Sequence, residues 1–161
     1  MKLKNILIIA IFTSSTLVME SSCVQCNETE QHVEKNSEEN EQIKDFLQNF
    51  YENYIIKYGD FSEVKYHFSP SIVSKLQSAY QEEYDGMGYA IWLFRSGAQD
   101  GPGESEVINI EDNGDGWFTV YMSDMGFKGS CVFKASIEDD VVFITDFKNQ
   151  WDKEQLKWDI E

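Results

Sequence analysis

Basic residues, proline, cysteine and histidine are all scarce in this chain, and each shortage narrows what it can do. Thirteen Lys plus Arg stand against 29 Asp plus Glu, for a formal charge of −16 over 161 residues. Such a field repels phosphate backbones, whose recognition depends on clustered cations, so nucleic acid is excluded as a partner. The three cysteines, Cys23, Cys26 and Cys131, lack the spacing of a zinc site. Ser130 has no Gly-x-Ser-x-Gly context, and no glycine-rich phosphate loop ends in Lys, so no cofactor is implied. Of the two histidines, His32 lies in a polar tract and His67 has no acidic neighbour in sequence, which suits surface or capping roles better than acid–base chemistry. Glu111, Asn113, Asp115 and Gly116 follow the opening spacing of a calcium loop. Its twelfth position falls on Met122, where a bidentate Glu is needed, and a hairpin turn is the better reading.

A membrane-spanning run is missing as well. Lys2 and Lys4 precede the apolar stretch Ile6 to Phe12, which is shorter than the about 20 residues a spanning helix needs, and Glu20 blocks its extension. This pattern is an export signal over residues 1–22. Ser21, Ser22 and Cys23 resemble the end of a bacterial lipobox, in which small residues admit the peptidase and the cysteine sulfur receives diacylglycerol. Glu20 holds the place where a lipobox carries an aliphatic residue, so ordinary cleavage to a secreted or periplasmic soluble protein stands as the alternative. Cys23 is the expected lipid attachment site, and the expected location is the cell envelope, periplasmic or outer-surface, with membrane contact through the lipid only.

Residues 23–40 follow as anchor and tether. Asn27 to Asn40 holds one aliphatic residue, Val33, and cannot bury enough surface to offset chain ordering. Extended, 24–40 reaches at most about 60 Å. From Glu41 the pattern changes: Ile43, Phe46, Leu47, Phe50, Tyr51, Tyr54 and Ile55 recur at helical spacing, with Ser37 or Asn40 as cap and Gly59-Asp60 as stop. Ser69 before Pro70 caps a second helix carrying Ile72, Val73, Leu76, Ala79 and Tyr80, which stops near Asp85-Gly86. Tyr89 to Phe94 is a continuous apolar run that fits a short buried helical or extended piece. After the loop Ser96 to Gly103 the period becomes two, predicting four antiparallel strands. Their turns are expected at Asn113 to Gly116, Gly126 to Gly129 and Asp139-Asp140. Residues 41–161 thus form one α+β domain, two or three helices on a curved sheet.

The opening helix FLQNFYENY, the loop FRSGAQDGPG, the segment GDGWFTVYMSDMGFKGS and the final strand VVFITDF resemble a family of exported proteins common in gut Bacteroidetes. That family lies within the nuclear-transport-factor-like (cystatin-like) superfamily, and the resemblance covers Ile43 to Lys148. It implies a cone, a curved sheet wrapped around a long helix, whose mouth can hold a small molecule; it implies shape more than activity. On that shape the first expectation is a non-catalytic module binding an apolar or amphipathic small molecule against Tyr89, Trp92 and Phe94, with Arg95 and Asp100 on the rim. Equally, these aromatics can simply fill the core, and Arg95 and Asp100 can form an ordinary loop salt bridge. A small acid–base enzyme using Tyr89, Arg95 and Asp100 is a further alternative.

Another class is a protein-interaction or inhibitor role, of the kind immunity proteins play, against a cationic protein, which the acidity would attract. Trp151, Gln155 and Trp158 would lie together on a helix, either docked on their own domain or offered to a partner. Cys26 and Cys131 can pair in an oxidising envelope or remain free thiols. The Cys23→Ser variant is expected to leave the detergent phase for the aqueous phase in a partitioning assay and to lose the diacylglycerol mass. A variant that stays in the detergent phase would show a different anchor.

Overall fold

A computed structural model describes residues 24–95 and 103–151, with side chains for 36–95 and 103–149. Helix α1 spans Val24–Phe50 and runs into a π-helical turn, Tyr51–Ile56. The helix therefore starts well before Glu41, and the stretch read as a tether continues it; Ser37 and Asn40 are interior positions, not caps. The Glu-rich composition of that stretch, free of Pro and Gly, favours helix, whereas the tether reading weighed only its lack of burial. The wider π turn changes the helical phase where Phe50 and Tyr51, adjacent in sequence, both turn into the core. Gly59 closes the segment, its N–H donating to the Asn53 carbonyl at 3.0 Å, and a Cβ there would sit 2.5 Å from that oxygen.

Two 3₁₀ turns, Phe61–Glu63 and Lys65–His67, lead to helix α2, Pro70–Glu83. Ser69 caps it as expected, its hydroxyl accepting from the Ile72 N–H, with Pro70 at the first helical position. The apolar run resolves into a 3₁₀ turn, Ile91–Phe94. Four strands follow in a plain antiparallel meander: β1 Glu106–Asp112, β2 Trp117–Asp124, β3 Phe127–Glu138 and β4 Val141–Trp151, in that order across the sheet.

Two details of the sheet depart from the sequence reading. A bulge between Val107 and Asn109 puts both Val107 and Ile110 against the core and leaves Ile108 outside, where strict alternation would group Ile108 with Ile110. The second turn is tighter than expected: Met125 and Gly126, both with positive φ, join Asp124 to Phe127, and Gly129 lies within β3 opposite Met122. The Asp139-Asp140 turn is where it was expected, with both residues left-handed. Trp151 ends β4, opposite Gly129, and does not begin a helix; the rest of the aromatic tail, including Gln155, Leu156 and Trp158, lies outside the described residues.

The result is the predicted α+β class, helices packed on one face of a four-stranded antiparallel sheet. The core between them is dense in rings. Phe94 is fully buried, with ring centroids 5.5 Å from Phe50, 5.6 Å from Phe133 and 4.8 Å from Phe147. Phe61 and Phe68 close the same cluster, and Leu47, Leu76 and Ile144 fill around it. Each such side chain contributes about 1.5–3 kcal/mol by leaving water. Phe94→Ala should therefore lower stability by about 3–5 kcal/mol, read as a fall in urea midpoint with an unchanged slope. A loss under about 1 kcal/mol would mean that the ring cluster is not the centre of the core.

Candidate functional site

The 3₁₀ turn Ile91–Phe94 ends at Arg95, and this short segment is tied to three other elements. A turn of this kind leaves its last carbonyls without helical partners. Here side chains supply them: Tyr51 Oη donates to the Phe94 carbonyl at 2.8 Å, and Asn149 Nδ2 donates to the carbonyls of Leu93 at 2.8 Å and Arg95 at 2.7 Å. The Asn149 Oδ1 atom is buried without a partner among the described residues.

The Arg95 guanidinium, 9% exposed, forms a bidentate pair with Asp124, 3% exposed: Nε donates to Oδ2 at 2.9 Å and Nη2 to Oδ1 at 2.5 Å. Its remaining nitrogen donates to the Tyr58 hydroxyl. Ser105 Oγ donates to Asp124 at 3.1 Å and accepts from the Met125 N–H at 2.9 Å, tying the β2–β3 turn to the same carboxylate. Gly103 packs directly on Gly126 there; a Cβ on Gly103 would fall 2.4 Å from the Gly126 Cα. The hydrogen bonds that Arg95 donates to Asp124 and Tyr58 hold it protonated even more firmly than usual, against the opposing effect of burial. Thus the carboxylate that Arg95 engages is Asp124. Asp100, the neighbour suggested by sequence, lies outside the described residues, as does Cys23.

The other residues singled out from sequence are spread through the fold. Tyr89 is half-buried with its ring 5.0 Å from Phe61, and Phe94 is the core ring described above. Trp92, half-buried, faces a different side, 5.8 Å from Tyr80 and 5.6 Å from Tyr84. His67 donates through Nδ1–H to the Val142 carbonyl at 2.8 Å and packs against Phe46 and Tyr66. Asp124 and Asn149 were readable in principle. Each continues an inward-facing row, Phe118, Val120, Met122, Asp124 on β2 and Phe147, Asn149 on β4, so each is a polar residue where burial calls for an apolar one.

Proton transfer is poorly served by this interior. Arg95 stays charged, burial raises the Tyr51 phenol well above its ordinary value, and burial pushes the Cys131 thiol up to about 12. Among the described residues no group of His, Cys, Asp and Glu is placed to hold a metal ion, and no helix is long and apolar enough to cross a membrane.

The outer face of the sheet is different in kind. Trp117, Thr119 and Tyr121 on β2 and Ser130 and Val132 on β3 floor an open groove of about 430 Å³, bounded by Lys148 on β4 and by the Asn113 to Asp115 turn. Lys148 Nζ lies 4.4 Å from the Trp117 ring centre and Lys134 Nζ 5.5 Å. Tyr121 Oη donates to Glu111 at 2.9 Å and Asn113 Nδ2 to Thr119 Oγ1 at 2.7 Å, so the groove's polar groups are held in place by neighbours. Comparison with known proteins finds no matching family model, curated protein or solved structure.

The Cys131 thiol gives this interior a testable pH signature. Its acidity is lower in the folded than in the unfolded chain, so the stabilisation it contributes is complete below the ordinary thiol value of 9.0 and is lost as pH rises towards about 12. Folding stability should decline across that interval, and Cys131→Ala should flatten the decline, measured by urea titrations along a pH series. At about pH 8 the native thiol should resist iodoacetamide and react only on unfolding. Fast native alkylation would show that Cys131 is accessible.

Proposed function

We propose that the protein is an exported, lipid-anchored, non-catalytic binding module, and that its small-ligand site is the groove on the outer sheet face. The observation that carries this reading is Trp117, an aromatic surface flanked by Thr119, Tyr121, Ser130, Asp115 and Lys148 in one concavity. Hydroxyl, carboxylate and ammonium groups together offer both donors and acceptors, while the indole offers an apolar platform. A ligand with an apolar face and hydroxyl-bearing edges, as in a saccharide ring, matches that division. Asp115 and Lys148 line the groove, with Lys134 against Trp117 and Glu111 on the Tyr121 hydroxyl, so two acids balance two bases and it is locally neutral on a chain of charge −16, which favours an uncharged ligand.

Tyr89, Phe94 and Arg95 support the interior-pocket reading less well. Phe94 is enclosed by other rings, and Arg95 already has its guanidinium engaged by Asp124 and Tyr58. Acid–base catalysis is not served by Tyr51 or Cys131, whose protons burial holds more firmly than usual. The nuclear-transport-factor-like resemblance is compatible with this proposal, because that shape leaves the outer sheet face open.

Titration calorimetry with a panel of neutral oligosaccharides is the direct test. Binding is expected for at least one, weakened about tenfold or more by Trp117→Ala, with unchanged stability in a parallel urea titration confirming that the variant is folded. Binding that survives Trp117→Ala, or no binding across the panel, would remove the groove as the site.

A further inference from the structure

We propose a second recognition surface, independent of the groove: the ring cluster at the carboxyl end of α2, Tyr80, Tyr84 and Trp92, together with the exposed Met87 in the turn that joins them, docks an arginine- or lysine-bearing segment of a partner protein. The cluster is built by the chain folding back on its own helix. Tyr84 leaves helical conformation with its N–H on the Tyr80 carbonyl at 2.8 Å, Gly86 turns the chain at φ +139°, and the Ala90 N–H returns to the Leu76 carbonyl at 3.0 Å. Gly88 lies so close to the Tyr80 ring that an added Cβ would sit 2.5 Å from it. Trp92 is thereby set against both tyrosines, with the three centroids 5.3–5.8 Å apart.

Packed at that spacing, the rings leave no room between them, and what they present is their outer surface. Tyr84 is 50% exposed beside two half-buried rings, and Met87, in the turn between Tyr84 and Trp92, is 97% exposed. Tyr, Trp and Met are the residue types that anchor protein interfaces, and Met adapts its shape to what it meets.

Charge selects the partner. From Leu76 to Phe94 the chain has no Lys, Arg or His, while Glu82, Glu83 and Asp85 stand exposed in that segment. Three rings elsewhere carry a cation of the same chain: Arg95 lies over Tyr58, Lys134 and Lys148 over Trp117, and Lys75 over Phe147. Among the described residues, none of Tyr80, Tyr84 and Trp92 has one. An aromatic surface without a cation, in a segment whose charges are all carboxylates, is complementary to a guanidinium or ammonium carried beside an apolar side chain.

The test is fluorescence anisotropy of the full protein with a labelled peptide of alternating arginine and leucine, against the same peptide with glutamine in place of arginine. Tyr84→Ala and Met87→Lys should each weaken binding of the arginine peptide about five- to tenfold, Tyr84→Phe should retain it, and Glu138→Lys, at the β3–β4 turn, should cost less than about twofold. Met87 is almost wholly exposed, so Met87→Lys tests the surface without disturbing packing, and a parallel urea titration confirms that Tyr84→Ala is folded. Equal losses for Met87→Lys and Glu138→Lys would reduce the effect to diffuse attraction by net charge and overturn the site. Absence of binding, or equal binding of the glutamine peptide, would also overturn it. Trp117→Ala should leave this binding unchanged, which separates its outcome from that of the groove.

Discussion

Three consecutive carbonyls, those of Leu93, Phe94 and Arg95, set the central constraint on this fold. They end a 3₁₀ turn against the core, the Phe94 carbonyl buried and the other two partly so, where an unpaired polar group is costly. Tyr51 from the end of α1 and Asn149 from β4 satisfy them, and the Arg95 side chain reaches Asp124 at the end of β2. One short segment thereby joins the long helix to an inner and an edge strand of the sheet. The Phe94 ring, carried by the same segment, is held at the middle of the aromatic core. Removing one partner of the Arg95–Asp124 pair would leave a buried charge uncompensated, so the pair acts more as a constraint on geometry than as a net source of stability.

This arrangement separates the interior from the proposed recognition surfaces. Inside, Arg95 is paired with Asp124, the Tyr51 hydroxyl is engaged by a backbone carbonyl, and burial raises the Tyr51 phenol and the Cys131 thiol. The groups free to meet another molecule lie outside, and they divide by charge. The sheet's described lysines, Lys128, Lys134 and Lys148, all lie on β3 and β4, and two of them rest against Trp117. The end of α2 is wholly acidic. A uniformly acidic composition thus resolves into a locally neutral polar groove and a separate aromatic cluster in an acidic segment, which suits two different ligands better than one.

Much of the framework was legible along the chain because it rests on local signals. Ser69-Pro70 specifies a helix start by hydrogen bonding and fixed φ, and the strands and the Asp139-Asp140 turn follow from period-two alternation and tolerance of left-handed backbone. Where the reading departed from the structure, a local signal was ambiguous or overridden. A polar stretch with good helix formers continued α1 upstream, and a bulge at Val107 to Asn109 broke the alternation so that Ile108 faces outward. The pairing of Arg95 with Asp124, 29 positions away, had only an indirect trace, an acidic residue in an inward-facing row.

The sequence by itself determined the class of fold, the acidity, the expected export signal and the sets of residues that must face a core, since these follow from composition and periodicity. Tertiary structure decided which polar residues share the interior and which aromatics remain outside. Trp92 and Phe94 are two residues apart, yet one joins a surface cluster with Tyr84 and the other disappears among phenylalanines. Trp117 read as one residue of an alternating strand until β3 and β4 brought Ser130, Val132 and Lys148 beside it. Such groupings depend on which strands and helices become neighbours, and that is a property of chain closure over long separations which no local pattern encodes.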